Sequence, residues 1–257
     1  MDLTAKIRFF GELNDFLSSG KKESSFSVTF KGNPSVKDLI EATGVPHTEI
    51  DIILINGKSV SFSHKLSGGE QIDVYPVSEM SLQIPAIHLA FFSIPKKFIL
   101  DVHLGKLTRV LRLMGFDASY RNDYSDPQIA STAVKENRII LTRDKGILKY
   151  KNVKAGYWIR STNYLEQARE VVRRFDLCGM INPFSRCMLC NGRLVKVEKT
   201  DILLNLEEKT RLFYNKFSKC DVCGKVFWEG SHFERLQDLI KKICPNQQKY
   251  GEKCGCN

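Results

Sequence analysis

No stretch of this 257-residue chain is both long and apolar enough to span a bilayer. Its most apolar run, Leu82 to Ile94, is broken by Gln83, Pro85, His88 and Ser93, and it falls short of the roughly 20 residues a membrane helix needs. The opening Met1-Asp2-Leu3-Thr4-Ala5-Lys6 has no apolar core of signal-peptide length, which predicts a cytoplasmic protein with no membrane partner. A terminal Gly-Gly is also lacking. The Gly68-Gly69 pair is internal and precedes an apolar alternation, so it reads as a turn, and carrier chemistry that needs a free Gly-Gly tail is excluded.

Acidic charge is scarce where it would balance the second part of the chain. The formal net charge is +10, with 42% hydrophobic and 26% charged residues, the proportions of a globular protein with material for a core. Residues 1 to 80 carry eight Lys/Arg and eleven Asp/Glu, a net −3, whereas residues 81 to 257 carry 31 and 18, a net +13. So uneven a basic excess suits a polyanionic partner, nucleic acid first. Scattered surface lysines kept for solubility are the plainer account of the same charge.

Residues 1 to 77 alternate with the two-residue period of half-buried strands at Ile7-Arg8-Phe9-Phe10 and Phe26-Ser27-Val28-Thr29-Phe30. A serine cap, apolar residues at Val36, Leu39 and Ile40 and a stop at Gly44 predict one helix. Ile52 to Ile55 runs into Asn56-Gly57, a hairpin dipeptide, and Ile72 to Val77 closes the unit. The order β, β, α, β, β resembles a β-grasp, the fold of ubiquitin. From Phe98 onward strands at 98–100, 118–120, 139–142 and 156–160 alternate with helices near 103–114, 127–136 and 163–175. That alternation predicts a parallel sheet with right-handed crossovers, an α/β class.

Two of these apolar runs end on an aspartate, Asp101 and Asp144. At the carboxyl edge of a parallel sheet, where open α/β sheets place their sites, two carboxylates point to a divalent metal. Either one alone serves equally well as a helix cap. A third ligand is needed to hold magnesium or manganese with positions open to substrate, and Asp126 is the best placed, although Asp126-Pro127 also suits a helix start. Such a site hydrolyses phosphodiesters. Lys106 near a helix start, with Arg109 and Arg112 off the apolar stripe of Leu104, Leu107, Leu111 and Met114, should face solvent. Arg143 and Lys145 flank Asp144 and would draw in phosphate. A phosphatase with an aspartate nucleophile is disfavoured, because its Asp-x-Asp pattern has His103 at the third position.

Eight cysteines in a reducing compartment read as thiols or metal ligands before disulfides. Cys187-Met188-Leu189-Cys190 and Cys220-Asp221-Val222-Cys223 are paired knuckles 29 residues apart, followed by Gly192 and Gly224. They predict four thiolates around a structural zinc closed to substrate. Cys178 reads as a packed thiol, and Cys244, Cys254 and Cys256, in a mobile tail, read either as ligands of a second metal or, more simply, as inert.

The run Leu100-Asp101-Val102-His103-Leu104-Gly105-Lys106-Leu107, then Leu111 to Asp117, Ile140 to Asp144, Pro183 to Gly192 and Cys220 to His232, resembles the RNase domain named after the C-terminal part of the Mut-seven exonuclease, a PIN-like branch. The first 77 residues, with Glu12 to Leu17 and Gly44 to Glu49, are similar to the ubiquitin-like domain often fused ahead of it. The resemblance implies a ubiquitin-like β-grasp over residues 1–80, a linker over 81–95 and a PIN-like core over 96–177. A zinc ribbon over 178–243 and a flexible tail over 244–257 complete it. It also implies a metal-dependent ribonuclease with Asp101, Asp126 and Asp144 on its acidic positions and no organic cofactor. Ser161-Thr162-Asn163 stand where PIN-like nucleases often carry a further acid. The alternative is an RNA-binding or ribosome-associated module without turnover.

Overall fold

The computed structural model describes residues 2–77, 83–90 and 96–245. Parts of the expected linker (81, 82 and 91–95) and all of the tail beyond 245, with Cys254 and Cys256, lie outside these residues. The strands and helices are β1 Leu3–Phe9, β2 Phe26–Phe30, α1 Val36–Ala42, β3 Ile50–Ile55, β4 Lys58–Ser59 and β5 Gln71–Pro76. There follow β6 Lys97–Leu100, α2 Gly105–Leu113, β7 Asp117–Ser119, α3 Asp126–Glu136, β8 Ile139–Thr142, β9 Gly156–Trp158 and α4 Tyr164–Arg174. The last are β10 Leu194–Val197, α5 Glu208–Phe213, β11 Phe217–Cys220, β12 Val226–Trp228 and α6 Ser231–Ile243. The chain divides into two compact units, residues 1–95 with 125–158, and residues 96–124 with 159–257.

In the first unit five strands lie in the order β2-β1-β5-β3-β4, with α1 over them. Alternation along β1 sends Ala5, Ile7 and Phe9 into a core that also takes Leu39, Ile40, Ile53, Ile72 and Val74. β1 pairs in parallel with β5, Ile7 beside Ile72 and Phe9 beside Val74. This is the β-grasp that the first 77 residues resembled. Ser35 caps α1 reciprocally with Asp38. Asn56 and Gly57 both take positive φ, 49° and 78°, the primed turn that suits the twist of β3 and β4. Gly68-Gly69 forms the expected internal turn.

The rest of the first unit is α3, β8 and β9, and it packs on this β-grasp. β8 and β9 pair in parallel, Ile140 with Gly156 and Thr142 with Trp158. A short 3-10 turn, His47–Glu49, supplies the seat. The His47 ring bridges Glu41 Oε1 at 2.6 Å and the Val153 carbonyl at 2.8 Å. The Trp158 amide donates to Glu49 Oε1 at 2.6 Å, and the Thr48 hydroxyl to the Leu148 carbonyl. Ile147 and Leu148 are fully buried.

In the second unit β6 and β7 pair in parallel, Lys97 with Asp117 and Ile99 with Ser119. Leu104, Leu107, Leu111 and Met114 are buried, as their helical spacing predicted. Phe98 packs edge-on to Phe116 and tilted against Phe175 after α4. The last carbonyls of α2, from Leu113 and Met114, accept from the amides of Phe184 and Asn182. α6 runs back along α4, where Arg169 donates to the Lys242 carbonyl, and Phe233 stacks on Phe184 with centroids 4.3 Å apart. β10, β11 and β12 form an antiparallel ribbon over a small core of Ile202, Leu206 and Phe217.

Two side chains depart from their expected settings. Arg112 does not face solvent; it is 5% exposed, because its guanidinium finds backbone acceptors described below. Cys178 and Cys244 are neither a packed thiol nor an inert tail residue, since they form a disulfide across 66 residues. The return of α6 brings their Cα atoms to 6.0 Å, within disulfide reach, and nothing local in the sequence signals that meeting.

Gly115, at φ +94°, makes the tightest crossing in the second unit: a Cβ there would meet the Asn182 carbonyl at 2.2 Å. Gly115→Ala is expected to cost about 3 kcal/mol or more, from strain and overlap together, read from urea unfolding midpoints at unchanged slope.

Candidate metal sites

Asp101 directly follows β6 and sits 5% exposed at the head of the 3-10 turn Val102–Leu104. Its Oδ1 accepts the His103 amide at 2.9 Å. The turn is further fixed by Tyr120, whose hydroxyl donates to the Val102 carbonyl at 3.0 Å. Asp144, two residues past β8 and exposed, repeats the arrangement: its Oδ1 accepts the Gly146 amide at 2.7 Å, while its own amide donates to the Thr142 hydroxyl at 2.8 Å. In both places an amide two residues on pins one carboxylate oxygen, and so sets the side chain's direction.

Asp126 is the first residue of α3 rather than its cap. That role falls to Ser125, whose amide donates to Gln128 Oε1 at 2.9 Å. Asp101 belongs to one unit and Asp126 and Asp144 to the other, so the structure gives each aspartate its local setting. Lys106 and Arg109 are exposed on α2, and His103 is exposed in the turn before it. The Arg143 carbonyl accepts from the Trp158 indole at 3.2 Å. Lys145, expected to meet phosphate, places its ammonium 3.8 Å from the Trp158 ring centre and 4.9 Å from that of Phe16.

Among the described residues, the group of three or more candidate ligands with donor atoms within 4.8 Å of one another is Cys187, Cys190, Cys220 and Cys223. Zinc with sulfur ligands at about 2.3 Å implies tetrahedron edges of about 3.8 Å. Cys187 and Cys223 stand 3.8 Å apart, Cys190 and Cys220 3.4 Å, so the donor set fits. Burial pushes the Cys190 thiol up to about 12, whereas the Lys225 amide holds Cys223 down at about 7. Four thiols this close do not ionise together without a cation among them.

The two knuckles turn differently. In the second, Gly224 takes φ +70°, while in the first Asn191 takes the left-handed position at φ +72°. Gly192 is needed for space, since a Cβ there would lie 2.7 Å from Cys220 Sγ.

Sequence reasoning missed the residues that join this cluster to the sheet. Arg112 Nε donates to the Ala118 carbonyl at 2.9 Å, and its Nη1 to the carbonyls of Met188 and Leu189 at 3.2 and 2.7 Å. Asp117 accepts from Asn191 Nδ2 at 2.8 Å and pairs with Arg186, while Asn191 Oδ1 accepts the Ala118 amide. The available signal was Asn191 before Gly192, a pair suited to a left-handed turn. Glu170 was missed too. From α4 it accepts the amides of Arg160 and Ser161 at 3.0 and 2.8 Å, just where a further acid was sought after the fourth strand.

A β-grasp, then a parallel α/β sheet with aspartates at strand ends, then a four-cysteine ribbon define a class of α/β protein with a ubiquitin-like domain and a candidate metal-binding ribbon. The profile of the Mut7-C RNAse domain matches residues 96–240, and that of the Mut7-C ubiquitin matches residues 3–81. The chain belongs to the Mut7-C RNAse domain family, carried behind its ubiquitin-like domain. No curated protein matches it. Among solved structures, H. volcanii small archaeal modifier protein 1 is similar at 18% identity, over 29% of this chain and 97% of that one, with a TM-score of 0.23. No helix among the described residues is long and apolar enough to cross a membrane.

Arg112→Met is expected to lower stability by about 3 kcal/mol, by stranding carbonyls that a charged donor now serves. In protein loaded with zinc at the four-cysteine cluster, the same change should speed loss of the metal to a chelator, and Arg112→Lys should not restore retention, because a point charge cannot span three carbonyls. Urea midpoints and zinc per protein after dialysis check both.

Proposed function

We propose that this chain is a metal-dependent ribonuclease in which Asp101, Asp126 and Asp144 hold magnesium or manganese and Lys106, Arg109 and Arg143 meet RNA phosphates. One observation carries the reading: Asp101 and Asp144, each just past a parallel strand, have one oxygen pinned by the amide two residues on. A carboxylate so fixed is aimed before any ligand arrives, which is what preorganised catalysis asks of it. Family membership and the +13 charge of residues 81 to 257 support nucleic acid as the partner.

Hard carboxylate oxygens suit magnesium or manganese rather than a thiolate-seeking metal. Such an ion, when bound, lowers the pKa of a water and offsets charge on the departing oxygen. The chain's own part is positional. Asp101 and Asp144 keep their direction through the His103 and Gly146 amides. Asp126 is spared capping duty by Ser125 and Gln128. The exposed cations of α2 favour the polyanion over neutral solutes, and the four-cysteine ribbon, holding structural zinc, adds binding surface for RNA. Water oxygen attacks phosphorus, the ester P–O bond breaks, and the leaving oxygen takes a proton to become a hydroxyl.

The same two amide contacts are also what a plain cap makes, so RNA binding without turnover remains the competing reading. Asp101→Asn and Asp144→Asn keep the acceptor oxygen and remove the charge. Each is expected to reduce cleavage of single-stranded RNA under saturating Mn2+ by at least about a thousandfold, with RNA affinity within twofold in filter binding. Equal turnover by mutant and wild type would sink the nuclease reading in favour of the binding module.

A further inference from the structure

The loop that carries Asp144 is gripped from the β-grasp side of its own unit, by contacts that neither the core nor the RNA reading requires. The 3-10 turn Gly11–Phe16 presents the Phe16 ring to Trp158, centroids 5.2 Å apart and planes at 50°. Lys145, the residue after Asp144, lays its ammonium over both rings and donates to the Asp15 carbonyl at 3.3 Å. Trp158 is anchored twice more, its indole N–H to the Arg143 carbonyl and its amide to the buried Glu49 carboxylate. The residues on both sides of Asp144 are thereby tied, one through its carbonyl and one through its ammonium, while the Asp144 side chain leans on the Gly146 amide.

We infer that Lys145, clasped by Phe16 and Trp158, is a positioning residue for Asp144, and that the ubiquitin-like domain is a built-in brace of the candidate nuclease site. The inference rests on the proposed function for its consequence in catalysis and on the geometry alone for the brace. A cation over two aromatic rings is directional and partly desolvated, so it restricts a turn that backbone bonds alone would leave free to rock. Small displacements of a catalytic group cost rate rather than affinity, which separates this role from the phosphate contact otherwise expected of a lysine beside Asp144.

The test uses the full chain with Trp228→Phe, which leaves Trp158 as the sole tryptophan of the two. Lys145→Met and Phe16→Leu are expected to lower kcat for single-stranded RNA by about tenfold or more at saturating Mn2+, with KM within twofold. Trp158 emission should shift in both, and exchange of the Gly146 amide, followed by NMR, should quicken about tenfold. Lys145→Arg, which keeps the cation over the rings, should restore all three. A raised KM with kcat retained would overturn the inference and make Lys145 a phosphate ligand. Unchanged Gly146 exchange in Lys145→Met would overturn the brace itself. If the wild type cleaves no RNA with magnesium or manganese, the nuclease reading fails, and the Gly146 exchange rate still decides whether the brace exists.

Discussion

A guanidinium taken out of water must meet acceptors along its donating edge, and the second unit is arranged around that demand. Arg112 leaves α2 and reaches carbonyls of β7 and of the first cysteine knuckle, so helix, strand and knuckle share one charge. Leaving such a charge unpaired in the interior costs about several kcal/mol, which makes the joint cooperative: knuckle, helix and strand are in place together. Asp117 and Asn191 add a second link between the same elements. Because Asp101 opens the turn that leads into α2, the four-sulfur cluster and that carboxylate stand at the two ends of one short helix.

The first unit is organised by opposite means. Its β-grasp closes on an apolar core, and its attachment to α3, β8 and β9 adds hydrogen bonds and rings to the buried Ile147 and Leu148: His47 between Glu41 and Val153, Glu49 on the Trp158 amide, Lys145 over two aromatics. Aromatic rings and backbone carbonyls of the acidic segment here meet the Lys145 and Lys149 ammoniums, cations of the segment that carries the net +13. The break between the two family matches falls between residues 81 and 96, close to the change in charge after residue 80, whereas the first compact unit also takes residues 125–158.

Periodicity made the elements legible, since two-residue and 3.6-residue spacings are set by backbone geometry and need no partner. The strands of the β-grasp and of the parallel sheet and the buried face of α2 follow from it, while the Ser35 cap and the Asn56-Gly57 turn follow from residue types suited to those local backbone shapes. The cysteine cluster was legible from spacing for the same reason, because a knuckle is a local turn. Arg112 was misread as solvent-facing because its acceptors lie 76 and 77 residues away, and the Cys178–Cys244 disulfide because it depends on the return of α6. Of the candidate acidic site, the strand-end positions of Asp101 and Asp144 could be read in advance. The cap at Ser125 in place of Asp126, and Glu170 reaching back from α4, depend on which neighbouring side chain wins a contested amide.

The mixed ownership of residues 125–158 also sets an order of events during synthesis. The β-grasp has all its strands once Pro76 has been made, and domains tend to fold in the order of their synthesis. Residues 96–124 emerge next yet belong to a unit whose remaining parts are far from made. Residues 125–158, made later, meet a seat whose own residues all precede them. A domain that began as a neighbour on the gene would then serve the nascent chain as its first folding surface.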